Sequence, residues 1–105
     1  MAFLLQLGMT DQFPKSELFG LTSQMRRSAV SIAANIAEGS KRSSPKDFRQ
    51  FIYIASGSGA ELETHIVISK ELSFGTQLNF YEVESLLEEV MKMLHSLALK
   101  LVPQN

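Results

Sequence analysis

The chain has 105 residues, of which 45% are hydrophobic and 20% are charged, and its formal net charge is −1. This composition is not that of a disordered chain, and no apolar run approaches the ~20 residues that a membrane-spanning helix requires. The sequence has no cysteine, which excludes disulfide bonds and zinc–thiolate sites and fits a reducing compartment. We therefore expect one cytoplasmic domain over residues 1–105, without a signal peptide at its start.

The charges are distributed unevenly along the chain. Residues 1–50 contain seven Lys or Arg and four Asp or Glu, a net charge of +3, whereas residues 51–105 contain three Lys and seven Glu, a net charge of −4. Two arrangements explain such a distribution. Either the basic half binds a polyanion, or the basic face of one subunit meets the acidic face of its neighbour.

The first half of the chain contains two predicted helices. The first covers residues 2–11 and ends before Phe13-Pro14, because the residue before a proline disfavours the helical conformation. The second begins at residue 16 or 21 and ends at residue 38, where Gly39 is expected to form a left-handed cap. Apolar residues recur every three or four positions in the second helix and form one face: Leu18, Leu21, Met25, Ala29, Ile32 and Ile36.

The second half contains two longer predicted helices. The third covers residues 45–72, with Ser44 as its N-cap and Pro45 as its first residue. The fourth covers residues 79–102, and Glu88 and Lys92 form a favourable i,i+4 pair on its surface. Its apolar residues repeat at about 3.5 positions, the spacing of shallow left-handed helix packing: Val83, Leu87, Val90, Leu94, Leu97 and Leu101. No strand-like alternation occurs, so the predicted fold class is all-α, a four-helix bundle.

The third predicted helix has more apolar surface than one bundle can cover. Residues 51–55 are apolar around the whole helix, which must then be covered on every side. Residues 55–60 are all small, and a glycine inside a helix costs about 1 kcal/mol unless close helix packing offsets it. We therefore predict self-association through this helix; the alternative is a flexible break between two shorter helices. The predicted interface residues are Phe51, Ile54, Gly57, Gly59, Val67 and Ile68.

Five sequence blocks in a fixed order resemble one protein family. They are LTSQMRR, SI-x-x-NIAEG, a basic turn, DF-x-x-F and GS-x-x-ELET, and the similarity extends over about residues 13–102. The family is that of the four-helix-bundle proteins, whose members include proteins encoded in intervening sequences of bacterial 23S rRNA genes. The resemblance implies an antiparallel up-and-down bundle assembled as a ring-like homopentamer. It also implies similarity to the accessory variability protein of diversity-generating retroelements, a basic pentameric bundle that binds nucleic acid and a reverse transcriptase.

The chain departs from the family pattern in three respects. Family members usually have more residues before the Phe-Pro turn, so the first helix is expected to be shortened and to expose core surface. Ala33 stands where members often have proline, and it is expected to straighten the second helix. Gly59 stands where the family favours a large apolar residue, which predicts weaker packing at that position.

Basic residues are the candidates for nucleic-acid contact. Clustered cations bind phosphate groups in a salt-dependent way, and four of them surround the turn between the second and third predicted helices: Lys41, Arg42, Lys46 and Arg49. The alternative for this turn is a solvated basic surface. Arg26 and Arg27 are further candidates, but we favour a structural role in which they pair with a carboxylate. The acids considered for that role are Glu38, Glu61 and Glu63.

The sequence shows no catalytic or metal-binding pattern. Four-helix di-metal proteins use Glu-x-x-His, whereas Glu61 and His65 are one residue too far apart for that motif. No serine has a histidine or lysine arranged as its base, and no phosphate-binding glycine loop occurs. We expect His65 to be exposed or hydrogen-bonded, and Asn35 and Gln24 to fix the register of the second helix. No metal, cofactor or enzymatic activity is predicted.

The sequence therefore predicts a non-enzymatic helical bundle that associates with copies of itself. Its predicted role is that of an accessory or scaffold protein for RNA or a ribonucleoprotein, with no membrane or small-molecule partner. The alternative is a protein–protein interaction module that does not bind nucleic acid.

Overall fold

The computed structural model describes residues 7–72, 75 and 78–102. Within this part of the chain there are three α-helices and no strand: α1, Ser23–Ser40; α2, Pro45–Glu71; and α3, Tyr81–Lys100. They correspond to the second, third and fourth helices predicted from the sequence. The all-α prediction is therefore confirmed, and three of the four predicted helices are present in the described residues.

The N-terminal segment differs from the predicted first helix. Residues 2–6 of that prediction lie outside the described residues, and the remainder is a 3₁₀-helix, Leu7–Gln12. The 3₁₀-helix Lys15–Glu17 and the π-helix Leu18–Thr22 follow, and Gly20 within the latter has non-helical angles (φ −102°, ψ −112°). Short helices are marginal in water, and the glycines, threonine and proline of this segment disfavour the α-conformation further. As a result, α1 begins later than either predicted start.

The close packing of α1 against α2 depends on a glycine. A Cβ atom on Gly39 would lie 2.7 Å from the Cβ atom of Phe51 and 2.9 Å from the Cδ1 atom of Phe48. At the other end of the pair, the hydroxyl of Ser69 lies 3.7 Å from the sulfur of Met25. Late residues of α1 thus meet early residues of α2, and early residues of α1 meet late residues of α2, so these two helices run in opposite directions.

The prediction of a left-handed cap at Gly39 is wrong. α1 continues through this residue, and no glycine of the described residues has a positive φ. The helix ends at Ser40, and the backbone N–H of the C-cap residue Lys41 donates to the carbonyl oxygen of Glu38 at 3.2 Å. The glycine is present because α2 approaches closely, not because the backbone turns there.

α2 is one continuous helix, so the alternative of a flexible break at residues 55–60 is wrong. The helix begins as predicted, and the backbone N–H of Asp47 donates to Oγ of Ser44 at 3.1 Å. Gly59 is buried, and a Cβ atom there would overlap the sulfur of Met91 on α3. The long side chain of Met91 thus fills the space that a larger residue at position 59 would take.

α3 completes the core through the apolar repeat of its sequence. Val83, Leu87 and Leu94 are buried, and the other members of the repeat are partly buried against them. The N-terminal segment covers one end of this core, where the ring centroids of Phe13 and Phe80 are 6.4 Å apart. The buried residues that α1 and α2 contribute are Met25, Ala29, Ile32, Ile52, Ala55, Leu62 and Ile66.

Candidate nucleic-acid interface

The α1–α2 turn and the C-terminal end of α3 lie at the same end of the molecule. Nη1 of Arg49 donates to the carbonyl oxygen of Leu101 at 3.4 Å, which places the exposed Lys100 beside the turn. Lys100 was not identified from the sequence because it is far from the turn along the chain. The only indication in the sequence was that consecutive helices are expected to run in opposite directions. That arrangement brings the end of α3 to the same end of the molecule as the α1–α2 turn. We call this surface the basic end, formed by Lys41, Arg42, Lys46, Arg49 and Lys100.

Lys41 and Lys46 are exposed charges of the basic end. Lys41 directly follows α1, Lys46 lies in the first turn of α2, and both side chains are exposed. Neither forms an ion pair or a side-chain hydrogen bond with any residue that the structure describes. Their ammonium groups are therefore available to phosphate groups without first breaking an internal contact.

Arg42 and Arg49 are engaged within the chain. Nη2 of Arg42 donates to Oε1 of Glu38 at 2.8 Å, and its guanidinium lies 4.7 Å from the centroid of the Phe51 ring. An exposed i,i+4 ion pair contributes well under about 1 kcal/mol, so Arg42 can exchange Glu38 for a phosphate at little cost. Arg49 is half-buried, and its charge lies at the negative end of the α3 dipole. Its position therefore indicates a structural role in addition to its charge.

Arg26 and Arg27 lie near the opposite end of α1, roughly 20 Å from the turn at the helical rise per residue. Nη2 of Arg26 donates to Oδ1 of Asp11 at 2.9 Å, and its Nε donates to Oγ1 of Thr10 at 3.2 Å. Arg26 thus holds the N-terminal segment against α1, and its partner is not one of the glutamates considered from the sequence. Arg27 is exposed and forms no ion pair within the described chain. The structure therefore brings together four of the six predicted cations.

Most of the predicted interface residues lie on the outside of α2. The exposed fractions of three of them are 52%, 57% and 42%, for Ile54, Val67 and Ile68 respectively. Gly57 is also exposed, and a Cβ atom there would meet nothing within 4 Å.

The other two predicted interface residues are placed differently. Phe51 is half-buried beneath the guanidinium of Arg42. Gly59 is buried against Met91, so it belongs to the interior of the monomer and is not available at its surface. The small residue at position 59 is explained by the packing of α3, whereas that at position 57 has no explanation within the chain.

Polar contacts across the α1–α2 seam set the register of the two helices. The hydroxyl of Ser28 donates to Oε2 of Glu61 at 3.4 Å, and the hydroxyl oxygens of Ser31 and Ser58 are 2.8 Å apart. Asn35, which was expected to fix the register, donates to the backbone carbonyl of Ser31 at 2.8 Å and so stays within its own helix. The serines, and not Asn35, make the contacts between the two helices. Their spacing in the sequence did not indicate these contacts.

The expectation that the side chain of His65 is exposed or hydrogen-bonded is not met at Nδ1. Its side chain is half-buried, and Nδ1 is buried without a hydrogen-bond partner in the described structure. Glu61, one turn earlier, accepts the hydrogen bond of Ser28.

In the described ranges, no three His, Cys, Asp or Glu side chains come close enough to hold a metal ion. None of the helices described has the length and apolar character needed to cross a membrane.

The sequence matches a family model over most of its length. The model described as 23S rRNA-intervening sequence protein covers residues 3–96. The matched range contains α1, α2, the turn between them and most of α3. The family resemblance of the sequence blocks is thereby confirmed. A comparison with curated proteins gave no match.

Proposed function

Because this chain belongs to the 23S rRNA-intervening sequence protein family, we propose that it binds structured RNA through its basic end. In this proposal the protein is cytoplasmic, has no enzymatic activity, and serves as an accessory or scaffold for an RNA or a ribonucleoprotein. We further propose that its helices belong to an antiparallel four-helix bundle and that five chains assemble into a ring. The sequence resemblance is the support for this assembly.

The observation that carries the RNA proposal is the exposure of Lys41 and Lys46 without internal partners. Binding to a polyanion gains free energy by releasing condensed counterions, and a cation that is already paired contributes less to that release. Arg42 and Lys100 extend the same surface. The opposite end carries acids such as Glu71 and Glu82, at the end of α2 and the start of α3, which disfavour RNA contact there.

The support for self-association is the apolar outer side of α2. Ile54, Val67 and Ile68 are each at least two-fifths exposed in the single chain. Apolar side chains exposed on the outer side of one helix form a surface that a partner protein can cover. A copy of the same chain is the partner that is always present at the same concentration.

Filter binding with a structured RNA at about 50 mM and about 200 mM salt tests the RNA proposal. We expect binding at the lower salt that weakens steeply at the higher one. The double variant Lys41→Glu/Lys46→Glu should lose binding, because it reverses two charges without removing an internal contact. The control variant Lys15→Glu/Arg27→Glu makes the same change of net charge at the other end and should keep binding. Absence of wild-type binding at about 50 mM salt, or equal losses in both variants, overturns the proposal.

A protein-interaction module without RNA binding is the second candidate. It is favoured by the engagement of Arg42 with Glu38 and of Arg49 with Leu101, which leaves fewer cations free for phosphate. In that case the basic end serves subunit contacts. The assembly of the variant Lys41→Glu/Lys46→Glu would then dissociate, whereas under the RNA proposal the assembly persists.

A further inference from the structure

Two grooves run along α3, and the charges on their rims differ in sign. The α1–α3 groove has a volume of about 600 Å³, an apolar floor that includes Ile36, Val90 and Leu97, and two rim cations, Lys92 and Lys100. The α2–α3 groove has a volume of about 750 Å³ and three rim carboxylates, Glu63, Glu84 and Glu88. It shares Lys92 with the α1–α3 groove, and Nζ of Lys92 pairs with Oε1 of Glu88 at 3.2 Å. Residues 7–13 cover the end of the α1–α3 groove that lies away from the basic end, where Arg26 binds Asp11. Among the described residues, nothing covers it beside the basic end.

A stripe on the outside of α2 is apolar at both ends and acidic in the middle. It consists of Ile54, Gly57, Glu61 and Ile68, whose spacings of three, four and seven place them on one side of the helix. All four are exposed. We call these four residues the outer stripe.

The glycine of the outer stripe is unexplained by the monomer. A Cβ atom at Gly57 would meet nothing within 4 Å, in contrast to Gly39 and Gly59, which both face close neighbours. An exposed glycine inside a helix is less favourable than alanine by about 1 kcal/mol, and here no contact in the chain offsets that loss. A helix that approaches from outside supplies the missing reason, because the absent side chain lets two helices come closer together.

We propose that the outer stripe of one chain docks into the α1–α3 groove of a second copy. This inference rests on the proposed self-association and names the two surfaces that it uses. The stripe extends over roughly 21 Å and the α3 residues of the groove, 90–100, over roughly 15 Å at 1.5 Å per residue, so the stripe reaches about one helical turn beyond the groove. Ile54 and Ile68 enter apolar surroundings, and Glu61 comes within reach of Lys92 or Lys100.

Charge selects this groove over the other one. Lys92 lines both grooves and is paired with Glu88, so Lys100 is the cation that distinguishes them. Lys100 attracts Glu61 at the centre of the stripe, whereas the carboxylates on the rim of the α2–α3 groove repel it. Like charges that face each other across an interface are unfavourable, and they therefore disfavour binding to the wrong surface. The floor of the α1–α3 groove also presents Leu94, which is otherwise part of the core.

Such a contact joins two different surfaces, so each chain has one stripe and one groove to offer. A heterologous contact of this kind propagates from copy to copy and gives a closed ring or an open filament. This property makes the proposal testable by mixing variants.

Two variants disable one surface each at exposed positions. The stripe variant is Ile54→Glu/Ile68→Glu, and the groove variant is Met93→Glu/Lys100→Glu, in which the exposed Met93 lines the groove. Controls at exposed apolar residues outside the two surfaces and outside the predicted interface are Leu99→Glu on α3 and Val30→Glu on α1. A further variant, Val67→Glu on the other flank of α2, tests the alternative groove. Circular dichroism and urea unfolding of each protein verify that the variants remain folded.

Sedimentation at micromolar concentration gives the size of each protein. We expect the wild type and both controls to exceed the 11.7 kDa of one chain, and each surface variant to sediment as a monomer. An equimolar mixture of the stripe and groove variants should form a particle of two chains, because one intact stripe and one intact groove remain.

Every other result contradicts one specific part of the proposal. If the wild type is monomeric, the proposed self-association itself fails. If the wild type assembles and both surface variants still assemble, self-association stands but the two named surfaces are wrong. Two monomeric variants that do not pair on mixing refute the stripe-to-groove contact. A monomeric Val67→Glu variant assigns the contact to the α2–α3 groove and also overturns the proposal.

Discussion

Gly39 of α1 lies so close to Phe51 of α2 that a Cβ atom on the glycine would be 2.7 Å from the Cβ atom of the phenylalanine. Real Cβ atoms do not approach so closely, so any other residue at this position must push the two helices apart. The contact is between atoms next to the backbone, and a change of side-chain rotamer does not relieve it. The separation of α1 and α2 at the basic end is therefore set by the absence of one side chain.

Gly39→Ala is expected to destabilise the protein. Overpacking of a close contact costs typically about 1–3 kcal/mol, which outweighs the roughly 1 kcal/mol by which alanine favours a helix over glycine. Gly59→Ala is the comparison, because its neighbour is the flexible end of Met91, which can move. We expect urea unfolding to show a clearly larger loss for Gly39→Ala than for Gly59→Ala. Equal losses would contradict the assignment of Gly39 to a rigid contact.

Gly57→Ala is expected to stabilise the isolated chain. No atom lies within 4 Å of the added methyl group, so the helix propensity of alanine is gained without a clash, by up to about 1 kcal/mol. The measurement is urea unfolding in the background of the groove variant, in which the proposed contact between chains is disabled. A destabilised Gly57→Ala chain would show that the site is less open than the structure indicates.

Ser44→Ala is expected to lower the free energy of unfolding by about 1 kcal/mol, the usual cost of losing an N-cap side chain. The hydroxyl of Ser44 accepts the backbone N–H of Asp47, which otherwise has no partner in the first turn of α2. Ser43→Ala is the matched control one residue earlier, since Ser43 is exposed and makes no such contact with the described chain. Thermal unfolding should separate the two variants, and an equal Tm would argue against the cap.

Arg49→Met and Lys46→Met remove one positive charge each from the basic end. Arg49→Met also removes the hydrogen bond to the carbonyl of Leu101 and is expected to cost about 0.5–1.5 kcal/mol. Lys46→Met breaks no internal contact and should stay within about 0.5 kcal/mol of the wild type. Urea unfolding of both variants at the same protein concentration checks the difference. If Lys46→Met is the more destabilised, the division into structural and accessible cations is wrong.

Leu94→Ala is expected to destabilise the chain by about 2–5 kcal/mol, because Leu94 is only 3% exposed and its removal leaves a cavity. Leu99→Ala on the same helix should change stability by less than about 0.5 kcal/mol, since Leu99 is 62% exposed. The pair tests whether the apolar repeat of α3 faces the core as described. Similar losses would show that the face of α3 is assigned wrongly.

The helix termini and faces were predictable because they depend on neighbouring residues. Ser44 and Pro45 start α2 where the sequence places the start, and Glu88 pairs with Lys92 at 3.2 Å as the i,i+4 spacing predicts. The predictions failed where a residue that is distant in the sequence determines the local structure. Gly39 fits a helix-ending residue by its type, but Phe51 makes it a packing residue, and Arg26 binds Asp11 across a segment whose local structure was predicted wrongly.

The sequence by itself determined the all-helical class, the start of α2, the apolar repeat of α3 and the cluster of cations around the α1–α2 turn. Each of these follows from periodicity, capping or charge within a few residues. Only the tertiary structure decided which cations remain unpaired, that Lys100 joins them, and that Gly59 is internal whereas Gly57 faces outward. Those properties depend on which side chains of separate helices meet, and that is fixed by the packing of the whole chain.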